Sequence, residues 1–288
     1  MADAVRAGGG EVVPVAQAEA LVWTETSEPA ALNRLLRDNA GIRWVQLPWA
    51  GIEPYLGVLD HDRVWTNGKG VYAEPVAEHA LALLLAGFRG IVTYARRDHW
   101  SEQQGTNLTG AKVVVLGGGG ITVSLLRLLE PFEADVTVVR RKVEPLPGAT
   151  RVVARDDLDD AVTGADGVVV ALALTPETRG IIARPQLERM SPRGWLVNVA
   201  RGQHVVTDDL VAVLRDEAIG GVALDVTDPE PLPSDHPLWT MPNALITPHV
   251  GNTMEMAVPL LTRRIAENVR RFAAGEDLIG VVDPDLGY

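Results

Sequence analysis

Short apolar runs alternate with segments of helical period along this chain. Residues 12–15, 20–24 and 44–47 read as strands, with a helix over 30–39 between the last two. Residues 75–97 read as one long helix, with Pro75 near its start and arginines in its last turn. A second series follows: strands over 112–116, 135–139, 167–172, 196–199, 221–225 and 244–246, helices over 121–130 and 208–216, and a final helix over 259–274. Unbroken runs such as VVVL and GVVVALAL predict parallel strands covered on both faces. The expected fold class is α/β: a doubly wound parallel Rossmann domain with a second, smaller flavodoxin-like α/β domain.

The segment VVVLGGGGIT joins a strand to a helix. On a G-x-G-x-x-G template it places Gly117, Gly119 and then Thr122. The first glycine allows the tight turn and the second lets backbone approach a pyrophosphate. The helix start at Gly120 and Ile121 offers unpaired N–H groups to phosphate. Thr122 departs from the usual third glycine and is expected to push the helix slightly off the sheet. A plain glycine-rich turn is the ordinary alternative. The next strand, DVTVV, runs into Arg140, Arg141 and Lys142 with no carboxylate at its tip. Cations there favour a 2′-phosphate over a bare ribose diol, so NADP is expected, with NAD as the alternative.

Composition narrows the classes. The 288 residues are 47% apolar, enough for two cored lobes. Cysteine is absent, which removes disulfides, thiolate metal sites and a cysteine nucleophile. No HExxH or close histidine pair points to a metal, and no G-x-S-x-G elbow points to a hydrolase. The net charge of −12 argues against nucleic acid. The start, MADAVRAGGG, has no apolar signal core, and the most apolar helical stretch, 80–88, is too short for a bilayer. A cytoplasmic protein with no membrane partner is expected.

Three further segments end strands where open α/β sheets bind ligands: LVNVARG with Arg201, GGVALDVTDPEPLP with Asp225 and Glu230, and LITPHVG with His249. Singly, each has an ordinary structural reading as a surface arginine, a solvated acid or a turn histidine. In order and with WVQLPWAGIE, PVAEHALALLL and ALALTPETRG, they make the chain resemble the D-isomer-specific 2-hydroxyacid dehydrogenase family, the group of glyoxylate/hydroxypyruvate reductases and phosphoglycerate dehydrogenase-like enzymes.

The resemblance implies hydride transfer between a nicotinamide and a small 2-keto or 2-hydroxy acid. Proton transfer to the carbonyl oxygen suits histidine, and the resemblance assigns that to His249. It implies that Glu230 bonds the other ring nitrogen and that Arg201 holds the substrate carboxylate. It implies that Asp225 meets the nicotinamide carboxamide, with Thr175, Ala200 and Gly251 joining Gly117, Gly119, Gly120, Ile121, Arg140 and Arg141 as cofactor contacts. Ala50, Gly51 and Ile52 match the family loop for the substrate carboxylate, and Lys69 and Trp49 are candidates for the substrate pocket. The other histidines, among them His79 and His204, take a structural reading.

The resemblance also implies two lobes. Residues 1–70 and 256–288 would form a discontinuous substrate domain, and 71–255 the dinucleotide-binding domain. The first residues read as the end of the family's first helix, followed by a strand in EVVPV, so the substrate domain reads as truncated at its N-terminus. In the family the helix that matches the apolar helix from Pro75 contributes to a homodimer interface, so the resemblance implies a C2 homodimer. Two other functions fit the same scaffold: a nucleotide-sensing corepressor-like binding protein and a phosphite dehydrogenase. Formate oxidation is disfavoured, because formate enzymes of this group have Gln where this chain has Glu230. The identity of the keto acid and the favoured direction stay open.

Overall fold

The computed structural model describes residues 1–25 and 28–285. Two compact units emerge, one of Met1–Tyr72 with Thr253–Tyr288 and one of Ala73–Asn252. The last three residues, 286–288, lie outside the described residues.

The first unit begins with α1 (Ala2–Ala7). The segment after it is not a strand. Val12 is 51% exposed, and residues 15–17 form a 3-10 turn behind Pro14. Proline has no N–H for a ladder, which explains the loss of the strand expected over 12–15. The sheet comprises β1 (Ala20–Val22), β2 (Trp44–Gln46) and β3 (Val64–Thr66), with α2 (Pro29–Asp38) between β1 and β2. All pairings are parallel, in the order β1-β2-β3. Leu32 and Leu36 of α2 pack with Val45, Leu47, Tyr55 and Trp65 in one core.

The second unit opens with α3 (Ala73–Phe88) and the single turn α4 (Ile91–Tyr94). One helix over 75–97 was expected. Gly90 takes φ +65°, a left-handed conformation that ends an α-helix, and splits it. Then follow β4 (Lys112–Leu116), α5 (Gly120–Leu129), β5 (Asp135–Val139), β6 (Arg151–Val153), α6 (Leu158–Val162), β7 (Gly167–Val170), α7 (Arg184–Arg189), β8 (Trp195–Asn198), α8 (Thr207–Arg215), β9 (Gly221–Leu224) and β10 (Ala244–Ile246). The sheet order is β10-β9-β8-β7-β4-β5-β6, all parallel.

Side chains alternate across this sheet. Val113, Val115, Val136, Val138, Val169 and Val197 pack with α3 and α5 on one face. Val114, Leu116, Val168, Val170, Leu196 and Val222 pack with α6, α7 and α8 on the other. Burial on both faces is why these strands read as unbroken apolar runs. The chain leaves β4 towards β5 on one side and later crosses to β7 on the other, so the order reverses at the C-terminal ends of β4 and β7. That reversal makes a crevice at the sheet edge.

The chain returns to the first unit in α9 (Met254–Ala274). This helix starts before Pro259, where it was expected to begin, and carries the proline in its interior. Asn268 Nδ2 of α9 donates to Gln46 Oε1 at 3.0 Å, which also accepts from Thr66 Oγ1 at 2.9 Å. Gly8, at the end of α1, lies so close to the Ala266 carbonyl that a Cβ there would overlap it. Among the described residues, no helix is long and apolar enough to cross a membrane.

Candidate active site

Five segments bearing candidate residues leave the same edge of the second unit's sheet. Gly117 follows β4, Arg140 follows β5, Arg201 follows β8, Asp225 follows β9 and His249 lies just beyond β10. The parallel register alone puts them on one side.

Gly117 has φ +113°, and a Cβ on it would overlap the Ala171 carbonyl beyond β7. The glycine is required where the two crossovers diverge. Thr122 does not displace α5. Its side chain is fully buried and its hydroxyl donates to the Gly117 carbonyl at 2.9 Å. Leu125 and Leu126 behind it are fully buried, so the expected shift of the helix is corrected. Gly119 has open space where a Cβ would stand, and α5 begins at Gly120, followed by Ile121. A Cβ on Gly118 would sit 2.7 Å from Arg140 Nε, so the Arg140 side chain lies along the glycine loop. Arg141 and Lys142 beside it are exposed. Bare backbone, a helix start and a guanidinium in one place suit a phosphorylated dinucleotide.

His249 and Glu230 are brought together. His249 Nδ1 lies 2.7 Å from Glu230 Oε1, and the second carboxylate oxygen accepts from the Thr227 N–H at 3.4 Å. The His249 side chain is 52% exposed, and its Nε2 has no hydrogen-bond partner among the described residues.

His249 has φ +54°, uncommon for a residue with a Cβ. Asp225 holds the turn that imposes it. The Asp225 carbonyl accepts the His249 N–H at 2.9 Å. Its carboxylate accepts the N–H groups of Val250 at 2.8 Å and Gly251 at 2.9 Å, and the Thr247 hydroxyl at 2.6 Å. His79 of α3 adds Nε2, 3.3 Å from Asp225 and 3.1 Å from Thr247. Burial pushes the Asp225 carboxyl up, but the bonds from His79, Thr247, Val250 and Gly251 outweigh it and hold the group at about 2. The Gly251 N–H thus already serves Asp225.

Arg201 directly follows the β8 extension. Its Nη1 donates to the Ala200 carbonyl at 2.7 Å, and its own carbonyl accepts Asn198 Nδ2 at 2.8 Å. Asn198 Oδ1 accepts the Ala200 N–H at 3.0 Å, so one buried amide fixes both residues. A Cβ on Gly202 would overlap the Thr227 carbonyl, which presses the Arg201 segment against the strand exit leading to Glu230. Thr175 lies in the loop after β7, where its N–H donates to Thr178 Oγ1 at 2.8 Å.

The remaining candidates belong to the first unit. Ala50, Gly51 and Ile52 follow β2. The Ala50 carbonyl accepts Asn67 Nδ2 at 2.8 Å, and Ile52 is buried. The Trp49 ring packs against Tyr72 at a centroid distance of 5.7 Å. The Lys69 carbonyl accepts from Arg264 at 3.2 Å. Tyr72 donates to the Pro48 carbonyl at 2.6 Å, and burial pushes its hydroxyl up to about 12 although Arg264 opposes the shift.

Sequence reasoning missed Asn198, His79, Thr247 and Thr227. Asn198 stands inside the quoted NVARG segment. Nothing in one dimension links His79 to Thr247, 168 positions apart. Among the described residues, no group of three or more His, Cys, Asp or Glu is placed to hold a metal ion.

This edge, with a glycine loop at the topological switch and polar residues on neighbouring strand exits, is the build of an α/β dinucleotide-binding domain. Comparison with known proteins makes it specific. Residues 81–251 match the family model for the NAD binding domain of D-isomer specific 2-hydroxyacid dehydrogenases. An uncharacterized protein of the proB 3′ region of Corynebacterium melassecola is 40% identical over 255 residues, 86% of this chain and 84% of that protein. Glyoxylate/hydroxypyruvate reductase A of Photorhabdus laumondii is 30% identical over 283 residues, covering 93% of this chain and 87% of the relative. A D-isomer specific 2-hydroxyacid dehydrogenase of Xanthobacter autotrophicus, solved with NADPH and MES, superposes with a TM-score of 0.83 at 28% identity, over 99% of this chain and 94% of that one. The chain belongs to the D-isomer specific 2-hydroxyacid dehydrogenase family.

Proposed function

We propose that this protein is a nicotinamide-dependent oxidoreductase that interconverts a small 2-keto acid and its 2-hydroxy acid, with NADP(H) preferred over NAD(H). The observation that carries this reading is the 2.7 Å pair of Glu230 and His249 on the sheet edge that bears the glycine loop. The second unit is the cofactor domain in this reading, and the first the substrate domain.

Gly117, Gly119, Gly120 and Ile121 would hold the pyrophosphate, and Arg140 and Arg141 the 2′-phosphate. Thr175, Ala200, Asp225 and Gly251 would line the nicotinamide side. Bound there, the nicotinamide supplies or accepts the hydride. Arg201 binds the substrate carboxylate through its fork of donors and polarises the carbonyl. His249 donates a proton from Nε2 to the developing alkoxide, because Nδ1 is committed to Glu230. The Glu230 carboxylate orients the ring and stabilises its cationic form. Ala50, Gly51 and Ile52, with Trp49 and Lys69, are the proposed substrate contacts of the first unit.

The name of the Photorhabdus relative and the NADPH in the Xanthobacter structure support small 2-keto acids and NADPH. A homodimer and a cytoplasmic location complete the reading. Absorbance at the reduced nicotinamide band, with glyoxylate, hydroxypyruvate and bulkier 2-keto acids against NADPH and NADH, tests it. Turnover that disappears in His249→Ala is expected. Phosphite oxidation without keto-acid reduction, or cofactor binding with no turnover, would replace it.

A further inference from the structure

We propose that His204 is a positioning residue for Arg201, locking its backbone to the loop that carries Thr175. The inference rests on the reading that Arg201 holds the substrate.

His204 is fully buried in a 3-10 turn immediately after Arg201. Its Nδ1 lies 3.0 Å from the Arg201 carbonyl oxygen, and its Nε2 lies 3.3 Å from the Ala173 carbonyl oxygen beyond β7. Its backbone N–H also donates to the Arg201 carbonyl at 3.2 Å, and its carbonyl accepts the Ile182 N–H at 3.0 Å. The Ala173 carbonyl accepts Thr178 Oγ1 at 2.8 Å, and that hydroxyl oxygen accepts the Thr175 N–H at 2.8 Å. One imidazole therefore stands between the Arg201 carbonyl and the loop that carries Thr175, at the exits of adjacent strands β8 and β7.

A structural histidine with a single carbonyl partner would be ordinary. Here both ring nitrogens face carbonyl oxygens, and a neutral ring carries one N–H. One nitrogen must then direct its lone pair at an oxygen. Burial pushes His204 below its ordinary value, the two carbonyl bonds oppose that, and the charges of Arg201 and Arg179 add to it. With its proton on Nδ1 the ring donates to the nearer oxygen, that of Arg201, and its Nε2 edge stands against the Ala173 carbonyl, so the ring anchors the Arg201 backbone and spaces it from the loop after β7. An apolar side chain would fill the volume and leave the Arg201 carbonyl to Asn198 Nδ2 and the backbone N–H of residue 204, without the ring. The fork of donors on Arg201 must meet a carboxylate in one orientation, so a small backbone shift is expensive in rate.

The test is a double-mutant cycle of His204→Leu and Arg201→Lys, with His204→Asn as a variant that keeps a donor near Nδ1. Glyoxylate and NADPH are the probes, and circular dichroism checks folding. We expect His204→Leu to lower kcat/KM for glyoxylate by roughly ten- to a hundredfold, mostly through KM. The dissociation constant for NADPH should change by less than about twofold, and His204→Asn should regain most of the loss. In the Arg201→Lys background, the His204→Leu effect should shrink to about twofold, because the fork it positions is gone. Hydrogen exchange should quicken at residues 173–178 and 201–206 in His204→Leu. A loss of the same size in both backgrounds, or a loss confined to NADPH binding, overturns the role of His204 and leaves the function standing. A wild-type protein inert towards glyoxylate and hydroxypyruvate with either cofactor overturns both. If His204→Leu fails to fold, His204→Met, which also lacks a ring donor, replaces it in the same cycle with the same outcomes.

Discussion

His249 and Glu230, 19 positions apart in sequence, meet at 2.7 Å between Nδ1 and Oε1. The contact joins the turn after β10 to the loop after β9, and it leaves Nε2 as the ring nitrogen available for chemistry. Glu230→Gln keeps the shape and removes the charge. Its kcat should fall by roughly tenfold or more, and that of His249→Ala by about 10²- to 10⁴-fold. Steady-state rates with glyoxylate and NADPH measure both; a fully active His249→Ala would move the proton donor elsewhere.

Asp225 should govern stability at the acid end. Its carboxyl, held at about 2 against a usual 3.8, stabilises the folded state above pH 3.8. That contribution, about 2 kcal/mol, is lost as pH falls through about 2. Asp225→Asn should flatten the acid limb of an unfolding curve. It should also reduce turnover, because the clamp that keeps His249 at φ +54° is weakened.

Arg140 should set cofactor choice. Arg140→Ala removes a guanidinium beside the glycine loop, and KM for NADPH should rise about ten- to a hundredfold, the worth of one charge-assisted hydrogen bond. KM for NADH should change little. Equal effects on the two would assign Arg140 to packing.

His204 carries a pH signature independent of catalysis. Its folded value lies below the usual 6.5, chiefly through burial, so the unfolded chain binds the proton more readily. The stabilisation is complete above pH 6.5 and is lost as pH falls through the depressed value. Melting temperature measured downward from pH 7.5 should drop less steeply in His204→Asn than in the parent protein.

Gly202→Ala should damage two site segments together. The added Cβ would overlap the Thr227 carbonyl and move either the Arg201 segment or the strand exit leading to Glu230. Melting temperature and kcat/KM should both fall. A Gly202→Ala protein of normal stability and rate would show that the backbone there relaxes without harm.

The parallel α/β architecture was legible in one dimension. Strands buried on both faces must be apolar throughout, so runs such as 112–116 and 167–172 announce themselves. The glycine loop was equally legible, because only glycine tolerates the turn at Gly117. Errors arose where a local rule was overridden. A proline removed the strand from residues 12–15, Gly90 broke the helix over 75–97, and α9 ran through Pro259. The short edge strands β3 and β6 carry too few residues to show a period.

For the site, the sequence by itself determined which residue types stand at which strand ends: Arg201, Asp225, Glu230 and His249, with Arg140 at the tip of β5. The tertiary structure alone decided how they are held. Asp225 takes its donors from α3 and from the segment after β10, while His204 reaches a carbonyl 31 positions away. Hydrogen bonds depend on distances of about 3 Å and on direction. Such distances between residues far apart in the chain come into being only when parallel strands bring their ends to one edge. For that reason Asp225, expected as a cofactor contact, is also the clamp on the His249 turn.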